Sequence, residues 1–175
     1  MATGTIASET LVKALNQQIA NEMGASLQYV VTAAYFDSET LPELAKFFYL
    51  QGEEEREHAM KFVRFVVDVG GRVDIPAVPA PRARFGSAEE AVALALEWEQ
   101  QVTQQIYGLV EIANADGNYI ARRFLDWFVD EQLEEMSTMS GLLQVVKRAG
   151  KDRLIFVEDY LARRGQTHAM AGPES

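Results

Sequence analysis

The chain has 175 residues, no cysteine, and 26 acidic against 16 basic side chains, for a formal net charge of -10. That length suits one domain with a substantial core, the acidic balance argues against nucleic acid and anionic membranes as partners, and the missing cysteines exclude a disulfide scaffold or a Cys-rich zinc site. No apolar run reaches the about 18 residues of a membrane span, and residues 1–9 lack the basic and apolar stretches of a secretory signal, so a cytoplasmic protein is expected.

Helical patterning dominates the chain. A first helix is predicted over about 8–37, with Ser8 as N-cap and Glu9 in the first turn. Its apolar residues Leu11, Leu15, Ile19, Met23, Leu27, Val30 and Ala34 recur at helical spacing. Leu41-Pro42 closes one element and opens the next, with Pro42 suited to a first turn. The second helix runs over about 42–69, with Leu44, Phe47, Phe48, Phe62, Phe65 and Val66 on its apolar face, and Gly70-Gly71 stops it. Residues 70–87 hold Pro76, Pro79 and Pro81 and read as an extended linker. Ser87 with Glu90 resembles a capping box for a third helix reaching about residue 115. Asp116-Gly117-Asn118 is a turn, and a fourth helix over about 119–149 is closed by Gly150. A short fifth helix over about 152–163 and an unstructured tail over 165–175 complete the chain, so a domain of residues 1–164 is expected.

Loop lengths set the topology. Short connections make helices 1 and 2, and helices 3 and 4, antiparallel pairs. The connection between helices 2 and 3 has about 18 residues and spans up to about 55–60 Å, whereas a helix of about 28 residues is about 42 Å long. Helices 2 and 3 can therefore run parallel. The expectation is an all-α four-helix bundle with one long crossover and a short fifth helix.

Polar residues then stand out by depth. Glu22, Glu55, Glu99 and Gln132 each lie about 12 to 14 residues into their helix, and midpoints coincide in a bundle of near-equal helices. Glu55-x-x-His58 puts a carboxylate and an imidazole on one face, a turn apart, and Glu135 lies a turn beyond Gln132. Oxygen ligands with one imidazole suit iron, manganese or zinc. Taken singly, each acid is more simply a solvated-face residue; their common level on four helices is what points to a shared metal site. A carboxylate cluster without cations would repel itself.

These residues resemble the non-haem ferritins of the bacterial 24-subunit type, over nearly the whole chain. The resemblance implies a dinuclear ferroxidase centre within each subunit, with two iron ions. Glu22, Glu55 and His58 match the ligands of the first iron, with Glu55 bridging, and Glu99 serves the second. Gln132 matches the glutamine beside that second iron, and Tyr29 the tyrosine near the centre; Glu135 lies one helical turn beyond Gln132. Glu54, Glu131 and Glu134 match acids that hold a third iron in some bacterial ferritins, although they read equally well as solvated acids. The second motif, Gln132-x-x-Glu135, departs from the paired Glu-x-x-His of general di-iron bundles, which disfavours haem bacterioferritins and rubrerythrins. Arg56 occupies the position of the haem-ligating methionine, so no haem is expected, and Met23, Met60, Met136 and Met139 read as core packing. Mini-ferritins, with sites between subunits and no fifth helix, fit poorly.

The function this resemblance implies is iron storage and detoxification. Fe(II) would be oxidised by O2 or H2O2 and Fe(III) kept as mineral inside a homo-oligomeric shell of 24 subunits. The alternative is a di-metal oxidase or peroxidase of the rubrerythrin or bacterioferritin type without mineral storage; a third reading is a shell subunit with an inert site. Arg122 and Arg123 lie near Asp126 where the family lines its three-fold channels, but a basic pair does not resemble an acidic cation funnel and reads as surface charge. Tyr35, Phe36 and Tyr49 are candidate exposed subunit contacts.

Overall fold

Ser8 starts α1 (Glu9–Ser38) as the N-cap, its hydroxyl accepting from the Leu11 amide at 3.0 Å. The computed structural model describes residues 5–170, with side chains through Arg164. α2 (Pro42–Asp68), α3 (Ala88–Ala115), α4 (Tyr119–Ala149), a 3₁₀ turn (Lys151–Arg153) and α5 (Ile155–Met170) come next along the chain. Among the described residues the protein is all helix and loop.

α1 ends in a left-handed residue: Thr40 has φ of 61°, the Leu41 amide donates to the Phe36 carbonyl at 3.0 Å, and the Thr40 amide to that of Asp37 at 3.1 Å. This is a Schellman closure that glycine would fill without the Cβ penalty. Leu41 offers no side-chain cap to α2; instead the buried Glu158 carboxylate, from α5, accepts from the Glu43 and Leu44 amides at 2.8 and 3.0 Å. α5 is therefore tied to the N-terminus of α2. It continues to Met170, past the expected end near residue 163, because Gly165 weakens a helix without stopping it. The part of the expected tail beyond Met170 lies outside the described residues.

The buried face of α1 differs from the predicted stripe. Leu11, Leu15 and Ile19 are buried, but Leu27 and Val30 are 48% and 43% exposed, and Ala34 is exposed. Successive steps of four residues advance 400° at 100° per residue, so that stripe drifts about 40° per step around the helix. Mixing steps of three and four keeps Glu22, Ala25, Tyr29, Ala33 and Phe36 inward. Phe36, expected as an exposed contact, is fully buried and stacks on Phe48 with ring centroids 5.5 Å apart; Tyr35 is half-buried and Tyr49 exposed.

Contacts give the helix directions. Ser26 bonds Gly52, and Ile6 bonds Val69, so α1 and α2 are antiparallel. Tyr29 reaches Ala95, whereas Gly24 lies against Trp98, so α1 and α3 are antiparallel as well. α2 and α3 are thus parallel, as the long connection predicts. The crossover is strapped along α1 at two points. Asn16 donates to the Arg72 carbonyl at 2.9 Å and accepts from the Asp74 amide at 2.7 Å; Gln28 does the same for the Arg82 carbonyl and amide at 3.0 and 2.8 Å. Ser87 caps α3 as predicted, but Glu90 turns to the Gly86 amide and Arg82 rather than closing a capping box on Ser87.

The bundle has two apolar cores. One gathers Tyr29, Phe36, Phe48, Ala91, Met139 and Leu142; the other gathers Leu11, Ile19, Phe62, Ile106, Leu125 and Phe128. Between them lies a buried polar layer contributed by all four long helices.

Candidate metal centre

Three of the predicted residues meet in that layer. One ligand atom each from Glu22, Glu55 and His58 lie within 4.8 Å of one another, and all three side chains are buried. The helical i, i+3 relation sets His58 Nδ1 3.4 Å from Glu55 Oε2. Trp127 and Phe128 pack edge-on against one side of the His58 imidazole ring, with centroids at 5.5 and 5.9 Å, and Lys61 Nζ sits 3.3 Å above the Trp127 ring. Its Nε2 faces Glu131 Oε1 at 3.7 Å.

Glu99, Gln132 and Tyr29 form a second group in the same layer. Tyr29 donates a hydrogen bond to Glu99 Oε1, and Gln132 Nε2 lies 3.3 Å from Glu99 Oε2 and 3.2 Å from Thr103 Oγ1. Thr103 in turn donates to the Glu99 carbonyl at 2.8 Å. Glu99 is thereby held from α1 and α4 together. Glu135 is buried one turn beyond Gln132. Of the three acids matched to a further iron, Glu54 and Glu134 are exposed and Glu131 is half-buried; they line a cleft of about 510 Å³ that also reaches Gln51 and Glu135. The cleft, which Lys46 and Arg164 also line, brings these acids alongside the buried Glu135.

Electrostatics mark this layer as unfavourable for bare charges. Burial, then the neighbouring Glu55, pushes the Glu22 carboxyl well above its ordinary range. Burial and Glu99 do the same to Glu55. Glu99 is raised by burial, against the hydrogen bonds from Tyr29 and Gln132 that favour its ionised form. Glu135 rises to about 9, from burial first and then from Glu99 and Glu54. Burial and the Glu99 charge likewise push the Tyr29 phenol upward. Two carboxyl oxygens, Glu22 Oε2 and Glu55 Oε2, are buried without a hydrogen-bond partner among the described residues. Buried polar atoms without partners are costly, and a cation between these oxygens and the imidazole would satisfy both. The donor set, carboxylates with one imidazole and no thiolate, fits a hard or borderline divalent metal.

Sequence reasoning missed Gln18, which is buried and donates to Glu22 Oε1 at 2.8 Å. Its signal was available: an amide four residues before Glu22 shares that residue's inward face. It also missed Thr103 and the Trp127 ring beside His58. Met139 is fully buried, as its packing role predicts, while Met23, Met60 and Met136 are half-buried.

Known proteins carry the same architecture. The ferritin family, described as a ferritin-like domain, matches residues 12–149. A relative named ferritin BfrB from Mycobacterium tuberculosis is 43% identical over 90% of this chain and 91% of its own length. A bacterial non-heme ferritin from Staphylococcus aureus is 39% identical over 83% and 87%. Among solved structures, an open pore ferritin from Archaeoglobus fulgidus superposes with a TM-score of 0.86 at 36% identity, covering 92% of this chain and 98% of that one. With the family match spanning all four long helices and relatives of this identity aligned nearly end to end, the chain belongs to the ferritin family.

Proposed function

We propose that this chain is an iron-storing ferroxidase of the cytoplasm. Its substrate is Fe(II), taken up at the buried layer and released as Fe(III) into mineral inside a homo-oligomeric shell. The observation that carries this reading is the convergence of Glu22, Glu55 and His58, with two buried carboxyl oxygens that accept no hydrogen bond, in a chain of the ferritin family.

In this reading the first Fe(II) takes Glu22, Glu55 and His58. The second takes Glu55 as a bridge with Glu99, beside Gln132 and Glu135. A neutral amide in place of a second histidine leaves the second ion more weakly held, which favours turnover of iron over its retention. Glu54, Glu131 and Glu134 would receive a third ion in the cleft. Two Fe(II) ions give one electron each; O2 takes two electrons and two protons and leaves as H2O2, or H2O2 takes two of each and leaves as water. Hard oxygen ligands hold Fe(III) better than Fe(II) and so favour the oxidation. Tyr29 holds Glu99 in place through its hydroxyl. His58 has its ring plane set by Trp127 and Phe128.

Glu22→Ala or His58→Ala should slow Fe(II) oxidation at least about tenfold, since each removes a ligand of the first iron. Stopped-flow absorbance after mixing Fe(II) with air-saturated protein reads the rate. Unchanged kinetics in both variants would sink the assignment.

A further inference from the structure

Gln18 does more than fill space beside the metal centre. It is one of the most deeply buried polar side chains of α1, and it is the inner end of a series of amides. Gln17 Nε2 donates to Asn21 Oδ1 at 3.0 Å, Asn21 Nδ2 donates to Gln18 Oε1 at 3.1 Å, and Gln18 Nε2 donates to Glu22 Oε1 at 2.8 Å. Gln17 is exposed, Asn21 half-buried and Gln18 buried, so the series runs from solvent to the carboxylate. All three steps are i to i+4 or i to i−3 along one helix, the spacings at which side chains meet.

The series has one direction. Each amide accepts on its oxygen and donates from its nitrogen, and the last donor meets a group that, when ionised, only accepts. Turning Gln18 over would set its oxygen against the Glu22 carboxylate and its NH2 against that of Asn21. Asn21 therefore fixes which end of Gln18 faces Glu22, and Gln17 fixes Asn21. Aligned in series, the amide dipoles point their positive ends at Glu22 and polarise one another.

The consequence falls on the two oxygens of one carboxylate. Oε1 accepts from Gln18; no amide or hydroxyl donates to Oε2, and Glu22 groups with the Glu55 carboxyl and His58. We propose that Gln18, oriented by Asn21 and Gln17, is the positioning residue of Glu22: it occupies Oε1 and presents Oε2 alone, making Glu22 a single-oxygen ligand of the first iron. This inference rests on the proposed reading of Glu22, Glu55 and His58 as the first metal site. Partners of this kind that orient a ligand typically change metal affinity by about 10–100-fold when removed.

Co(II), added alone to the assembled protein, is the probe, because its visible absorption reports ligand geometry and it needs no oxidant. Gln18→Met keeps the side-chain length and removes the donor. It should weaken Co(II) binding at the first site by about tenfold or more and change the visible band, with helicity and particle size unchanged. Asn21→Ala, at a half-buried position, should weaken binding in the natural background and have no further effect in Gln18→Met. That non-additivity is the signature of a residue acting through Gln18. Wild-type affinity and band in Gln18→Met would overturn the proposal while leaving the metal site standing. Additive losses in the double variant would overturn the series and reduce Gln18 to packing. If Gln18→Met fails to assemble, the Asn21→Ala band decides alone: an unchanged spectrum overturns the role. A natural protein that binds Co(II) identically with and without Glu55→Ala would overturn the site and the proposal together.

Discussion

Four carboxyl groups in one buried layer carry a defined pH signature. Glu22, Glu55, Glu99 and Glu135 are all raised in the folded chain by burial above any other cause, Glu135 from 4.5 to about 9. A carboxyl so raised binds a proton in the folded chain that it has lost in the unfolded one, at any pH between the two values. Stability of the metal-free protein therefore falls as pH rises across about 4.5 to 9, and is recovered as pH falls. In the proposed function, divalent metal takes the place of those protons. Two results are expected: the metal-free protein melts at a higher temperature at about pH 6 than at about pH 8, and metal loading in weak buffer releases protons. A melting temperature that rises between those two pH values would contradict the burial of these groups as carboxylic acids. At this scale much of the layer was legible, because Glu22, Glu55, Glu99 and Gln132 are polar residues at the midpoints of apolar helices. Gln18 was readable only through Glu22: an amide within a helix looks solvated until its spacing of four residues to an inward acid is used.

Among elements, α5 depends on a contact far apart in the chain. Glu158 closes the N-terminus of α2, where Pro42 and Leu41 supply no side-chain cap. Glu158→Ala would leave the Glu43 and Leu44 amides without their carboxylate at a helix end where negative charge is favoured. The cost should be about 1–3 kcal/mol, and hydrogen exchange should speed at the start of α2 and in α5 while the centre of α2 stays protected. Equal protection in the variant would show that apolar packing through Val157 and Leu161 suffices. Local patterning located the helix starts where the cap is local, as at Ser8 and Ser87. It placed the start of α2 at Pro42 as well, but not the cap of that helix, because Glu158 lies 115 residues from its partner at Glu43. It also misread the outer half of α1, where a repeat of four drifts off the inward face and hides Phe36.

At the scale of the molecule, the crossover decides what the centre is made of. Running α2 and α3 parallel brings Glu55 and Glu99 into one layer with Glu22 and Gln132, and the straps from Asn16 and Gln28 hold the connection along α1. The length of that connection made the topology readable from sequence. The straps were hidden, because asparagine and glutamine in a helix do not announce which loop they hold. Two apolar cores flank the layer, and the cleft past Glu54, Glu131 and Glu134 runs from the surface to the buried Glu135. The assembled particle should therefore oxidise iron inside each subunit and retain the product within the shell. An Fe(II) titration begun without oxygen and finished in air, followed by size separation with iron measured in each fraction, tests this most directly. The expected result is about two Fe(II) bound per chain before air, oxygen uptake on its admission, and further iron co-eluting as Fe(III) with a large protein particle. Tightly held metal on a small oligomer, with added iron precipitating outside the protein fraction, would contradict it.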